Sequence, residues 1–106
     1  QMDWRAIDLH GAASISRVVN VFEIRDMRGI PWTKYKIKVL EEGSGGFFAV
    51  ANVCVRNANG TPDGDVGLGR TEVEALQDLI KRLGEKLNSR KDWGDEDFEW
   101  TDPQDF

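Results

Sequence analysis

The chain has 106 residues, 40% hydrophobic and 31% charged, with a formal net charge of −5, which leaves room for one compact domain and a tail. No apolar run approaches the ~20 residues needed to cross a bilayer, and Asp3, Arg5 and Asp8 interrupt anything resembling a signal peptide. Cys54 is alone, which excludes an intrachain disulfide and a cysteine-built zinc site, so the expected compartment is cytoplasmic.

Charge divides the chain unevenly. Residues 1–91 hold all 14 Lys and Arg against 12 Asp and Glu, a net of +2. Residues 92–106 hold seven acids, no base and four aromatics: Trp93, Phe98, Trp100 and Phe106. A purely solvating tail has no use for two tryptophans, because exposed aromatics are costly unless they meet something. The expected organisation is an N-terminal arm over 1–13, a domain over 14–91 and an acidic aromatic tail over 92–106. Such a chain reads as an interaction protein.

In chain order, residues 14–29 come first. Val18, Val19, Val21, Phe22 and Ile24 favour a strand by propensity. Ile15, Val18, Val19 and Phe22 nevertheless follow the i, i+3, i+4, i+7 spacing, Ser14 can cap a start, Gly29 suits a helix end, and Pro31 blocks continuation. Spacing and punctuation predict a helix. Lys34 to Glu41 alternates strictly, with Tyr35, Ile37 and Val39 on one face and Lys34, Lys36 and Lys38 on the other, so it predicts a strand.

Residues 42–46, Glu-Gly-Ser-Gly-Gly, predict a hairpin connection. Phe47 to Arg56 predicts a second strand, with Ala49, Ala51, Val53 and Val55 on one face and Phe48 and Val50 on the other. Apolar residues on both sides mark it as central or covered twice. Asn59-Gly60 and Asp63-Gly64 mark turns, and a short third strand fits at about 65–68. Thr71 and Glu74 form a T-x-x-E capping box. Val73, Leu76, Leu79, Ile80, Leu83 and Leu87 then make one apolar stripe, predicting a helix from Thr71 to near Asn88.

Several residues together resemble the double-stranded RNA-binding domain family (dsRBD) over roughly residues 14–88. Val18-Val19-Asn20 is similar to the family's aliphatic-aliphatic-Asn signature in its first helix. Pro31 and Tyr35 resemble its Pro and Tyr near the first strand, and 48–55 resembles its second strand. Gly67-Leu68-Gly69-Arg70-Thr71 with Glu74-Ala75 resembles the Gly-x-Gly-Arg-Ser…Glu-Ala run opening its last helix. The resemblance implies an α+β fold of order α-β-β-β-α, a three-stranded antiparallel sheet covered on one face by two helices. The family's RNA contacts are missing: its basic cluster falls on Glu72, Val73 and Leu76, its first-helix acid on Val21, and its loop histidine on residues 42–46. A carboxylate at the helix start repels phosphate, so the resemblance speaks to fold more than to activity.

Other motifs read more simply as structure. Residues 64–71, Gly-Asp-Val-Gly-Leu-Gly-Arg-Thr, imitate a P-loop with Arg for Lys, but the chain is short and Asp65 would sit in the cradle. Asn59-x-Thr61-x-Asp63-Gly64-Asp65 begins like a calcium loop but ends on Arg70 where a bidentate Glu is required. His10 and Cys54 lack a third group to orient them. No catalytic residue, metal site or cofactor is expected. The leading expectation is a non-catalytic module working through a protein partner or a second copy, with Lys34, Lys36, Lys38, Phe48, Val50 and Trp100 as contact residues. The tail is expected to fold back over Phe48, Val50 and the lysines, burying Trp100 and pairing Asp97 or Asp102 with a lysine. One alternative is weak double-stranded RNA binding through Arg70, Lys34, Lys36 and Lys38. Another is a small antitoxin resembling the HicB type, which assigns residues 17–25 to a strand.

Overall fold

A computed structural model describes residues 3–56, 59 and 62–106 of the chain, with only the backbone of residues 62 and 63. After a 3-10 turn at Trp4–Ala6 come β1 (Ser16–Arg25), β2 (Lys34–Glu42), β3 (Phe47–Ala51), β4 (Val53–Arg56), β5 (Pro62–Asp63), β6 (Val66–Gly69), α1 (Glu72–Leu87) and β7 (Phe98–Trp100). The strands form a four-stranded antiparallel sheet, β1-β2-β3-β6, and a small three-stranded one, β5-β4-β7. The fold is α+β, with one α-helix among the described residues packed on one face of the main sheet. That helix is not long and apolar enough to cross a membrane.

The helix expected over residues 14–29 is a strand, and this corrects the expected two-helix, three-stranded layout. The physical cause is a β-bulge. The register with β2 shifts between Val18 and Asn20, so one extra residue breaks the period-two alternation. Val18 and Val21 then share one face while Phe22 and Ile24 share the other, imitating helical spacing. The β-branched and aromatic propensity of the segment prevails. Gly29, expected at a helix end, instead takes φ +88° in the β1–β2 connection. Of the expected α-β-β-β-α order, antiparallel strands followed by one helix remain, without the first helix and with more than three strands.

The single strand expected over residues 47–56 is divided at Asn52. Its side-chain Oδ1 accepts the Lys36 N–H at 2.8 Å, and its own N–H donates to the Lys36 carbonyl at 2.9 Å. These bonds end the β2–β3 ladder, and the chain moves into the second sheet as β4. The hairpin at residues 42–46 forms as expected, with Gly45 and Gly46 at φ +96° and +85°. Of the two expected turns and the calcium-like loop, Gly60 and Thr61 lie outside the described residues.

α1 starts where the capping signal places it. The Thr71 hydroxyl accepts the Glu74 N–H at 3.1 Å, while the Glu74 carboxylate reaches one residue further back than a capping box requires, to the Arg70 N–H at 2.8 Å. Ala75, Leu79, Leu83 and Leu87 point into a core completed by Tyr35, Ile37, Val39, Ala49, Val53, Val55 and Phe98. Gly67 and Gly69 are packing residues, since a Cβ on Gly67 would lie 2.2 Å from the Ala75 carbonyl oxygen. That close approach, not a phosphate cradle, accounts for the glycines of the P-loop-like run. At the helix C-terminus, Arg28 bonds the buried Asp26 at 2.8 Å and the Asn88 side chain at 3.2 Å, a position where a cation meets the negative end of the dipole.

Candidate protein-interaction face

The face of the main sheet opposite α1 is set by strand register, because directly opposed residues of antiparallel strands share a face. One cross-strand row runs Val18–Leu40–Phe48–Leu68, and the next runs Val21–Lys38–Val50–Val66. Seven of these eight residues are apolar. Val18, Val21, Val66 and Leu68 are 51%, 55%, 43% and 62% exposed, whereas Leu40 is buried and Phe48 and Val50 are half-buried.

The expected contact residues do not all meet. Lys34, Lys36, Lys38, Phe48 and Val50 lie on this open face. Lys34 makes a loose pair with Glu23 at 3.9 Å, and Lys36 is exposed. Lys38 is partly covered: its ammonium donates to the Phe106 backbone oxygen and lies 4.7 Å from the centre of the Phe106 ring, a cation–π contact. Trp100 packs edge-on against Trp32 at 5.4 Å, and Trp32 also meets Tyr35 of the core at 5.5 Å, so Trp100 belongs to the core side. Arg70 is exposed just ahead of α1, its backbone held by Glu74.

The tail is docked, but not as expected. β7 pairs with β4, setting Phe98 opposite Val55 and Trp100 opposite Val53, and the Thr101 N–H extends the ladder to the Asn52 carbonyl at 2.9 Å. The expected alternation puts both aromatics on one side, where each contacts Trp32. Phe98 is the buried one, and Trp100 stays 45% exposed. Asp97 pairs with Arg90 at 2.6 Å and caps the Gly94 N–H at 2.9 Å instead of meeting a lysine. Arg90 also lies 4.1 Å above the Trp93 ring, whose Nε1–H donates to the Leu87 carbonyl at 3.1 Å. These contacts carry the chain from α1 to β7.

At the other end of the sheet the N-terminal arm is held by Arg5, which pairs with Glu41. A recess of about 470 Å³ between arm and hairpin is lined by Arg5, Leu9, Ile15, Ser16, Glu42 and Phe48. His10, in that arm, is exposed and 3.7 Å from Asp8, and Cys54 lies half-buried in β4. Among the described residues no three His, Cys, Asp or Glu side chains converge as a metal site.

Sequence reasoning missed Val18, Val21, Val66 and Leu68 as members of the open face. The first pair was lost with the helix assignment, although its β-propensity was a usable signal. Leu68 stands between Gly67 and Gly69 in a strand of four residues, where alternation is too short to assign a face. No family model matches the chain, and neither a curated protein nor a solved structure matches it.

Proposed function

We propose that this chain is a non-catalytic protein-interaction module that works through the open face of its main sheet. The observation that carries the reading is the pair of cross-strand rows, seven-eighths apolar, with four aliphatic side chains 43–62% exposed. Aliphatic side chains left exposed along both edge strands of one sheet face point to an interaction surface. Lys34 and Lys36 at its margin favour a partner with carboxylates around an apolar centre. The test compares proteins that co-purify from the native cell with the wild type and with Val21→Glu/Leu68→Glu. Both positions are exposed, so the variant should melt like the wild type while losing its partner. Equal recovery by both proteins, or no partner for either, would refute the reading.

A second reading, a HicB-like antitoxin, is favoured by one observation: β1 occupies Ser16–Arg25, where that layout needs a strand and the dsRBD layout needs a helix. An antitoxin neutralises a toxic protein. The co-purifying partner should then arrest growth when expressed alone, and growth should resume when this chain is co-expressed. A partner harmless on its own excludes this reading and leaves the interaction module standing.

A further inference from the structure

The sheet edges are treated unequally. At β6 the outward N–H of Leu68 is taken by the Asp78 carboxylate at 3.0 Å. That bond, seconded by Arg82, holds the Asp78 carboxyl below its ordinary pKa. In the second sheet the outer strands β5 and β7 have two and three residues, and short edges template pairing poorly. β1 has ten residues, and among the described residues no strand lies on its outer side. Its start lies beside the arm and its bulge disrupts residues 18–20, so the regular free edge is 21–25.

The direction of its backbone groups follows from the neighbouring strand. Lys36 turns both its N–H and its carbonyl toward Asn52, so Glu23, directly opposite, forms a non-hydrogen-bonded pair with it. The N–H and carbonyl of Glu23 therefore point away from the sheet, and by alternation so do those of Val21 and Arg25. Asp26 fits this phase, donating inward to the Thr33 carbonyl at 2.7 Å. No ion pair of Arg25 occurs among the described residues, and Glu23 keeps only its loose contact with Lys34.

We propose that β1 pairs antiparallel with β1 of a second copy of this chain, about a two-fold axis beside Ile24. In that register Glu23 of each copy lies opposite Arg25 of the other, on the open face, and their outward backbone groups exchange about four hydrogen bonds. Ile24 meets its own counterpart on the opposite face. The interface is isologous, as a two-fold dimer requires. So short a ladder stays below the ~800 Å² per partner of a standard interface, so the dimer is weak and reversible. The proposal rests on the interaction-module reading in giving that module one partner, but it uses the edge and not the apolar face.

The test is sedimentation velocity of the full chain from low to high micromolar concentration. The wild type should pass from monomer to dimer. Glu23→Arg and Arg25→Glu should each weaken the dimer by about tenfold or more, because like charges directly opposite on paired strands repel. The double variant Glu23→Arg/Arg25→Glu should restore it, which loss of folding would not. Amide exchange gives an independent reading: the Glu23 and Arg25 N–H groups should gain protection as concentration rises. A monomer at every concentration, a dimer that both single variants keep, or an unrestored double variant with wild-type melting would each overturn the proposal. Leu68→Glu alone, on β6 at the edge of the sheet farthest from β1, disturbs the open face and leaves the Glu23–Arg25 pairing intact. Loss of the co-purifying partner with the dimer kept would therefore separate the two sites.

Discussion

Gly67 sits where β6 meets α1, with no room for a side chain. A Cβ would lie 2.2 Å from the Ala75 carbonyl oxygen and 2.7 Å from the Leu79 Cβ. The obstacle is backbone, so the helix itself must move. Gly67→Ala should destabilise by about 1–3 kcal/mol or more through overpacking, read from urea melts. Gly43→Ala is the control: its nearest contact, 3.5 Å from the Ile15 carbonyl oxygen, is ordinary packing, and a change within about 0.5 kcal/mol is expected. Tyr35 makes a second test at this scale. Burial, seconded by Asp26, pushes its hydroxyl above the usual 10.0. The fold thus favours the neutral phenol, and that stability is complete below the ordinary value. It falls away as pH rises from there through the raised value, because the unfolded chain loses the proton first. Tyr35→Phe should lessen the loss of melting temperature between about pH 9 and 11. An unchanged alkaline slope would mean that other groups account for all of it.

Among the elements, β7 shows how an acidic segment earns its place in a fold. Its carboxylates face outward or cap backbone, with Glu99 3.4 Å from Arg56, and exposed pairs of this kind contribute little. The stabilisation comes from Phe98, 6% exposed and closed in by Trp32 at 5.1 Å and Trp93 at 5.5 Å. Phe98→Ala should therefore cost about 3 kcal/mol or more. Trp100→Ala, at a half-exposed position, should cost clearly less. Removing residues 92–106 should lower the melting temperature further and promote self-association, because it bares the edge of β4. A truncated chain that melts like the intact one would mean that β7 contributes nothing to the body. The helix was legible as an element because Thr71, Glu74 and the Leu76–Leu87 spacing are local signals, although Val73 of the expected stripe is 73% exposed and Ala75 is the buried residue of the first turn. β1 imitates helical spacing because the bulge between Val18 and Asn20 is invisible in a linear pattern.

For the whole molecule, Phe98 of the tail and Leu83 and Leu87 of α1 belong to one core cluster with Tyr35 and Ile37 of β2. Tail and body should therefore unfold together. Tryptophan fluorescence, dominated by the cluster of Trp32, Trp93 and Trp100, and far-UV circular dichroism should give coincident denaturation curves, as for a two-state domain. A fluorescence transition preceding the loss of secondary structure would make the tail a separate unit. The linear sequence determined what depends on neighbours along the chain: the hairpin over residues 42–46, the alternation of β2, the start of α1 and the acidic, aromatic character of the tail. It also placed Lys34, Lys36, Lys38, Phe48 and Val50 together, because strict alternation in adjacent strands leaves little freedom. Only the tertiary structure decided that residues 16–25 form a strand, that Asn52 hands the chain from one sheet to another, and that Trp100 lies on the core side. Each turns on partners far away in sequence: for residues 16–25 local propensity and local spacing pointed in opposite directions, and pairing with β2 chose between them.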